Sequence, residues 1–278
     1  MEVIMKLSEL LAEGGMKLWK DKEGCDTFHS QARRCVEILN DPKIKDIDTK
    51  MVDLYIEGLE KVVTHRGTLM SPSSINHNIS VLCTLLRYAK QRDYIDKLPH
   101  FSRKTPAPHR VRWLSPDEEQ KVFAAIETAD YLIARKHREE MSALTRILID
   151  TGMRRGEVLG LKPENIDGDW VRLWKTKNGK ARSVPLTPRA KELLLKHVPF
   201  EIKDHQVHRF WAKVRDQVGL SKDTQFVLHT LRHTTATRML KKTKNIAMVQ
   251  RMLGHSNIST TLRYAHIDDQ DLLDAVNS

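Results

Sequence analysis

A chain of 278 residues with 40% hydrophobic residues can bury a sizeable core, and its length allows one or two domains. Its 47 Lys and Arg outnumber 36 Asp and Glu, for a net charge of +11; this points to a polyanionic partner, most commonly nucleic acid, unless the chain is merely basic. Cys25, Cys35 and Cys83 lack CxxC spacing and no run approaches a span of roughly 18 apolar residues, so zinc knuckles, disulfide frameworks and membrane spans are set aside. Acids interrupt the apolar positions of residues 1–13, unlike a secretory signal, and a soluble intracellular chain is expected.

Residues 1–98 read as all helix. Leu7, Leu10, Leu11, Met16 and Leu18 open an apolar stripe. Val36, Ile38 and Leu39 belong to a second helix, which Asn40-Asp-Pro42 ends because proline is poorly tolerated beyond that point. Asp48 or Thr49 can cap a third helix carrying Met51, Leu54, Tyr55 and Leu59. Ser71-Pro-Ser-Ser74 opens a fourth, in which Ile75, Ile79, Leu82, Leu86 and Ala89 recur at three or four residues. These four short amphipathic helices predict a small bundle.

Residues 99–112 break the helical period. Prolines disfavour regular structure there, and Arg103, Lys104, Arg110 and Arg112 make the segment basic, as in an interdomain linker. Solvent or a phosphate backbone satisfies those charges equally well, so the four are candidate DNA contacts. A second domain, 113–264, begins at Leu114-Ser-Pro-Asp-Glu-Glu119, with Ser115 as N-cap, Pro116 in the first position and acids in the first turn. The next helix carries Met141, Leu144, Ile147 and Leu148 and runs to Gly152. Val171 and Leu173 on one side, and Ala181 and Val184 on the other, flank Lys175-Thr-Lys-Asn-Gly-Lys180, whose Asn-Gly is a hairpin signal; a small antiparallel sheet is expected. Thr187-Pro188 opens a helix with Leu193 and Leu194, and more helices follow around 207–218, 231–240 and 246–253. Gly254 reads as a C-cap, with Ser256 or Asn257 capping the next helix. The tail, 265–278, spaces Ile267, Leu272, Leu273 and Val276 helically and can pack in cis or on a neighbouring subunit.

Three distant segments hold the reactive side chains: Thr151-Gly-Met-Arg-Arg-Gly-Glu157, His229-Thr-Leu-Arg232 and Leu253-Gly-His-Ser-Asn-Ile-Ser-Thr-Thr-Leu-Arg-Tyr264. Breaking a phosphodiester without a metal requires positive charge fixed around the phosphate, a nucleophile, and a proton donor for the leaving oxygen. Arginine suits the first task, because its planar fork grips phosphate oxygens and stays charged. Arg154 follows a turn at Gly152 and opens a helix, where free backbone N–H groups add to its charge. Arg232 shares a helix face with His229. Tyr264 is the candidate nucleophile; a free phenol, with a pKa of about 10, needs its proton removed and its anion stabilised. His255, nine positions earlier, can donate to a non-bridging oxygen. Lys177 in the hairpin turn is the candidate general acid for the 5′-oxygen, with Lys175 and Lys180 as rivals. A lone arginine is better read as surface charge and a lone tyrosine as packing; the combination carries the reading.

That combination resembles the tyrosine recombinases, the phage integrase family. There the first arginine follows a Thr-Gly-hydrophobic tripeptide, as Arg154 follows Thr151-Gly-Met153, and a hairpin lysine precedes a Val-Pro-like proline by eight residues, as Lys177 precedes Pro185. The family's His-x-x-Arg box is similar to His229 and Arg232, its Leu-Gly-His box to Leu253-Gly-His255, and its Thr-x-x-Tyr-x-His pattern to Thr261-Leu-Arg-Tyr264-Ala-His266. The resemblance covers about residues 110–270, and the N-terminal bundle looks like the family's SAM-like core-DNA-binding domain.

The resemblance implies a mainly α chain: a helical bundle and a mainly helical catalytic domain with a small antiparallel sheet, clamping double-stranded DNA at attachment-type sites. Tyr264 would form a 3′-phosphotyrosyl link. Arg154, Arg232 and His255 would stabilise the transition state, His229 would position or deprotonate, and Lys177 would protonate the leaving group. Four protomers would act in one synaptic complex, with a directionality factor and a DNA-bending protein as candidate partners and with no metal or other cofactor. Integration or excision of a phage or mobile element is the expected outcome. The alternatives are an Xer-like dimer resolvase, a type IB topoisomerase-like relaxase, or a catalytically silent DNA-binding regulator. Two features depart from the pattern: Arg155 sits beside Arg154, so the phosphate-gripping arginine is assigned by position, and the chain begins almost at the bundle, without room for a separate arm-binding domain. His229 and His233 are four apart, but Thr230 stands where a zinc protease needs Glu. No P-loop or GxGxxG fingerprint is present, in keeping with a phosphotyrosine bond that would conserve energy without ATP.

Overall fold

The computed structural model describes residues 5–20, 24–65, 67–106, 111–129, 135–174 and 181–265; Arg110, Lys175, Lys177, Lys180, His266 and the rest of the tail lie outside them. The chain divides into two compact units, Met1–His109 and Arg110–Ser278.

The first unit is built from α1 (Leu7–Trp19), α2 (Cys25–Leu39), α3 (Thr49–Glu60) and α4 (Pro72–Gln91). Asn40 ends α2 in the left-handed conformation at φ 57°. Asp48 Oδ1 accepts the Met51 amide at 2.9 Å to start α3, and Ser71 Oγ accepts that of Ser74 at 3.2 Å to start α4. Leu7 and Leu10, Ala32 and Cys35, Tyr55 and Leu59, and Ile79, Leu82 and Leu86 meet in one apolar core. Met16 and Leu54, read as part of the buried stripes, are instead 56% and 60% exposed. At 100° per residue the buried face of α3 runs through Val52, Tyr55, Ile56 and Leu59, which turns Leu54 outward.

The proline-rich segment after α4 is not a free connector at its start. Asn76 of α4 donates to Lys104 O at 2.8 Å and accepts the Lys104 amide at 2.9 Å, so its side chain pairs with the extended backbone as a second strand would. Arg103 donates to Asn76 O and to Ser80 Oγ, both at 2.8 Å, and Lys104 Nζ lies 2.6 Å from Glu60. α4 has already ended at Gln91, and the extended, proline-containing chain beyond it still docks.

In the second unit Ser115 and Glu118 close a reciprocal cap on α5 (Pro116–Glu127), which is followed by α6 (Arg135–Thr151) and the single turn α7 (Arg155–Leu159). Next come β1 (Ile166–Asp167), β2 (Trp170–Leu173) and β3 (Arg182–Pro185), an antiparallel sheet in that order with Val171 opposite Val184 and Leu173 opposite Arg182. β1 is an addition to the expected pair: two residues are too few to show alternation. The chain continues through α8 (Pro188–His197), α9 (Asp204–Gln217), α10 (His229–Thr243), α11 (Ile246–Leu253) and α12 (Ser259–Leu262). Neither residue expected to cap the last helix is its N-cap, which is Ile258; Asn257, one residue earlier, has its Oδ1 accepting the Ser259 amide at 2.9 Å.

Helix α10 is buried on nearly all sides through its first half, which is why its sequence lacks an amphipathic stripe. Thr230, Thr234 and Thr235 are hydrogen-bonded, whereas Thr237 Oγ1 is buried without a partner among the described residues. Thr234 Oγ1 donates to Thr230 O at 2.8 Å, and Thr235 Oγ1 donates to Ile149 O at 2.6 Å, which ties α10 to α6. Among the described residues no helix is long and apolar enough to cross a membrane.

Candidate active site

The side chain that assembles the site is Arg232. Buried in the first turns of α10, it donates from Nη1 to Gly152 O and from Nη2 to Leu253 O, both at 2.6 Å, across 80 and 21 residues of sequence. Both carbonyls belong to helix ends, where the helical ladder leaves acceptors over. The turns that present them need glycine. Gly152 has φ +62°, and a Cβ there would sit 2.9 Å from Leu253 Cδ2; Gly254 has φ +66°, and its Cβ would fall 2.5 Å from Arg182 Cδ. One guanidinium thus joins all three motif segments. Burial, then Arg154 and Arg182 nearby, bring its pKa down to about 10, so it stays charged at neutral pH.

Arg154 is the N-cap of α7, not its first helical residue. The backbone N–H expected to be free there is occupied: Glu157 Oε2 accepts it at 2.7 Å, while Glu157 Oε1 lies 2.9 Å from Arg154 Nη1. The same carboxylate takes a two-pronged grip from Arg182 on β3, at 2.6 and 2.8 Å. Burial pushes the Glu157 carboxyl up, but Arg182 and Arg154 outweigh it and hold the group below the usual carboxylate range. Arg155 turns elsewhere, to Asp204 at 2.7 and 3.1 Å. Met153, Arg154, Arg155, Gly156, His229 and Arg232 line a cavity of about 220 Å³, walled by Leu148 and Leu228. Guanidinium and imidazole donors around a small hollow suit an anion such as a phosphodiester.

Tyr264 lies beside this hollow without lining it. Its ring packs on Ala236, Val249 and Leu253, and the residue is 1% exposed. Its hydroxyl is 2.7 Å from His233 Nδ1. Burial raises the phenol pKa against the opposing pull of Arg232 and Arg263. His233 in turn meets His229 edge to face, with ring centroids 4.7 Å apart. His255 Nδ1 is 2.8 Å from Thr261 Oγ1, which fixes its ring across the capped turn. Burial, joined by neighbouring cations, depresses all three imidazoles, His229 and His255 to about 4 and His233 to about 3. His229 remains exposed at the cavity, with the guanidiniums of Arg232 and Arg154 beside it.

The family model described as the phage integrase family matches residues 112–271, more than half of the chain. The chain belongs to that family. A tyrosine recombinase of Pseudothermotoga lettingae is 31% identical over 263 residues, 87% of this chain and 86% of its own length. The integrase of Escherichia phage P2 is 26% identical over 281 residues, 98% of this chain and 77% of its own. The crystal structure of XerH site-specific recombinase bound to palindromic difH substrate, in its post-cleavage complex, has the same fold, with a TM-score of 0.71 at 21% identity over 97% of this chain and 84% of that one. The chain is a site-specific recombinase of the tyrosine type.

Of the residues singled out in the recombinase's sequence, Arg154, His229, Arg232, His255 and Tyr264 gather in this one region, while Lys177 lies outside the described residues. Arg103 and Lys104 are bound within the first unit, and Arg112 lies in the second. Its Nη1 is 2.9 Å from Glu118 and its Nε is 2.9 Å from Asp223, so its charge is already met. Sequence reasoning gave no role to Glu157, Arg182 or His233. Glu157 stood inside a quoted motif, and its three-residue spacing from Arg154 was the available signal. His233 carries no mark in the sequence beyond its four-residue spacing from His229, a zinc-ligand pattern that Thr230 excludes. Nothing in the sequence marked Arg182. Among the described residues no three His, Cys, Asp or Glu side chains are grouped to hold a metal ion.

Proposed function

We propose that this recombinase binds double-stranded DNA and that Tyr264 attacks the scissile phosphate, leaving a 3′-phosphotyrosyl link and a free 5′-hydroxyl. Arg154, Arg232 and His255 hold the non-bridging oxygens as charge grows on them, His229 borders the same phosphate, and Lys177 gives its proton to the departing 5′-oxygen. The incoming 5′-hydroxyl of the other duplex reverses the step. What carries this reading is the meeting of all three motif segments on the guanidinium of Arg232, next to a buried phenol.

The helical unit serves as the core-DNA-binding domain. Arg103, Lys104 and Arg110 contact phosphates, an exchange that costs Lys104 little because its pair with Glu60 is solvent-exposed. Arg112 would have to trade Glu118 and Asp223 for phosphate. Four protomers form the synaptic complex in the cytoplasm, aided by a directionality factor and a DNA-bending protein. Phage or mobile-element integration is the outcome proposed.

The test begins with a pool of randomised, nicked duplexes, from which covalently protein-linked DNA is recovered under denaturing conditions and sequenced to give the site. On a nicked duplex of that site, Tyr264→Phe should retain binding and form no adduct. An adduct that persists overturns the nucleophile assignment. Supercoil relaxation without joining would identify a relaxase, and preferential resolution of directly repeated sites on one circle a dimer resolvase.

A further inference from the structure

Two imidazoles stand near the nucleophile, and they face different ways. His229 lines the cavity shared with Arg154 and Arg232, whereas neither His233 nor Tyr264 does. The phenol hydroxyl has its hydrogen bond with His233 Nδ1, at 2.7 Å, while His229 reaches His233 only ring to ring. His233 is held in place from several sides. It projects one turn after His229 on a helix anchored by Thr234 and Thr235, and its ring packs against that of Tyr264 at 5.7 Å between centroids.

We propose that His233, rather than His229, is the catalytic base for Tyr264, receiving the phenol proton on Nδ1 as the phenol oxygen attacks phosphorus. This rests on the reading of Tyr264 as nucleophile. The Oη–P bond forms as the P–O5′ bond breaks, the electron pair leaves with O5′, and that oxygen takes its proton from a separate acid. In the rejoining step His233 returns the proton to the departing phenolate. The base must be a neutral imidazole with Nδ1 free to accept, and the buried, cationic surround of His233 keeps it so: burial first, then Arg263 and Arg232, oppose its protonation. That same surround makes proton transfer uphill in the empty site. A phosphodiester placed among Arg154, Arg232 and His229 brings the negative charge that lowers the cost, so the phenol is activated when substrate is present. His229 then acts on the phosphate side, as its place on the cavity wall dictates.

The experiment compares His233→Asn and His229→Asn with the parent in single-turnover adduct formation on the nicked duplex, using the full chain. Asparagine Oδ1 can stand near Nδ1 and accept the hydrogen bond, but it cannot hold the proton. Gel-shift binding by each variant confirms that it folds. The His233→Asn chain should lose about 100-fold or more in rate, the usual range for a general base. Acidifying the phenol, by fluorinated tyrosine incorporated at position 264, should shrink that defect and leave the His229→Asn defect unchanged. Imidazole added to His233→Gly should restore adduct formation. A loss below about tenfold, a faster rate in His233→Asn (a latch rather than a base), or rescue of His229→Asn by the fluorinated phenol would each overturn the assignment. The nucleophile reading fails separately, through an adduct in Tyr264→Phe.

Discussion

Replacing Glu157 by Gln keeps the shape of a side chain that three groups depend on and removes its charge. The carboxylate is 8% exposed, opposite Arg182 at 10% and Arg154 at 26%. Removing one partner of a buried ion pair costs about 3–5 kcal/mol, because the remaining charge stays desolvated. Arg182 meets that condition fully, since its Nε is already buried without a partner. Arg154 can regain water, which places the expected loss near the lower end, about 3 kcal/mol. For a unit of this size that corresponds to a drop in Tm of roughly 6–12 °C. Unfolding of the full chain, followed by circular dichroism in urea and on heating, measures it. Acid provides an internal check. The folded-state pKa of Glu157 lies below its ordinary value of 4.5, so its contribution is complete above that pH and is lost as pH falls through the folded value. Parent and variant should therefore converge in acid. A loss under about 1 kcal/mol at pH 7, or a difference that persists in acid, would refute the view that this carboxylate is the anchor of the arginine cluster.

Gly254→Ala forces a Cβ into the left-handed region, which costs about 1–2 kcal/mol, and also into Arg182 Cδ. Stability should fall by about 2 kcal/mol or more and adduct formation with it; a Tm within a degree of the parent would contradict the close approach. The imidazoles of His229, His233 and His255 sit at about 4, 3 and 4, below the unfolded value of about 6.5. Between those limits the unfolded chain binds more protons, so stability should fall as pH drops from about 6.5 toward 4, above the window of Glu157. Proton resonances of these rings in the DNA-free protein should show no midpoint near 6.5, and finding one would remove the cationic-site argument.

Helix starts and stops were legible because each is a local transaction. Ser115 with Glu118, Asp48, Ser71 and Gly254 act within four residues of the backbone they satisfy, so their chemistry shows in the string itself. The amphipathic helices of the first unit were legible for the same reason, and only Met16 and Leu54 were misplaced, each lying just off the buried stripe. The residues of the candidate site were found through motif spacing. Their partners were not, because Arg182 meets Glu157 across 25 residues and Tyr264 meets His233 across 31.

By itself the amino-acid sequence determined the family and the mainly helical class with a small sheet, and it singled out the candidate reactive side chains, since these rest on residue types at short fixed spacings. Tertiary structure decided which groups touch. It put Glu157 between two arginines, turned Arg155 away to Asp204, and set His233 rather than His229 against the phenol. The physical reason is that buried charges and hydroxyls must find partners wherever packing brings donors and acceptors together, and a linear pattern does not encode that distance.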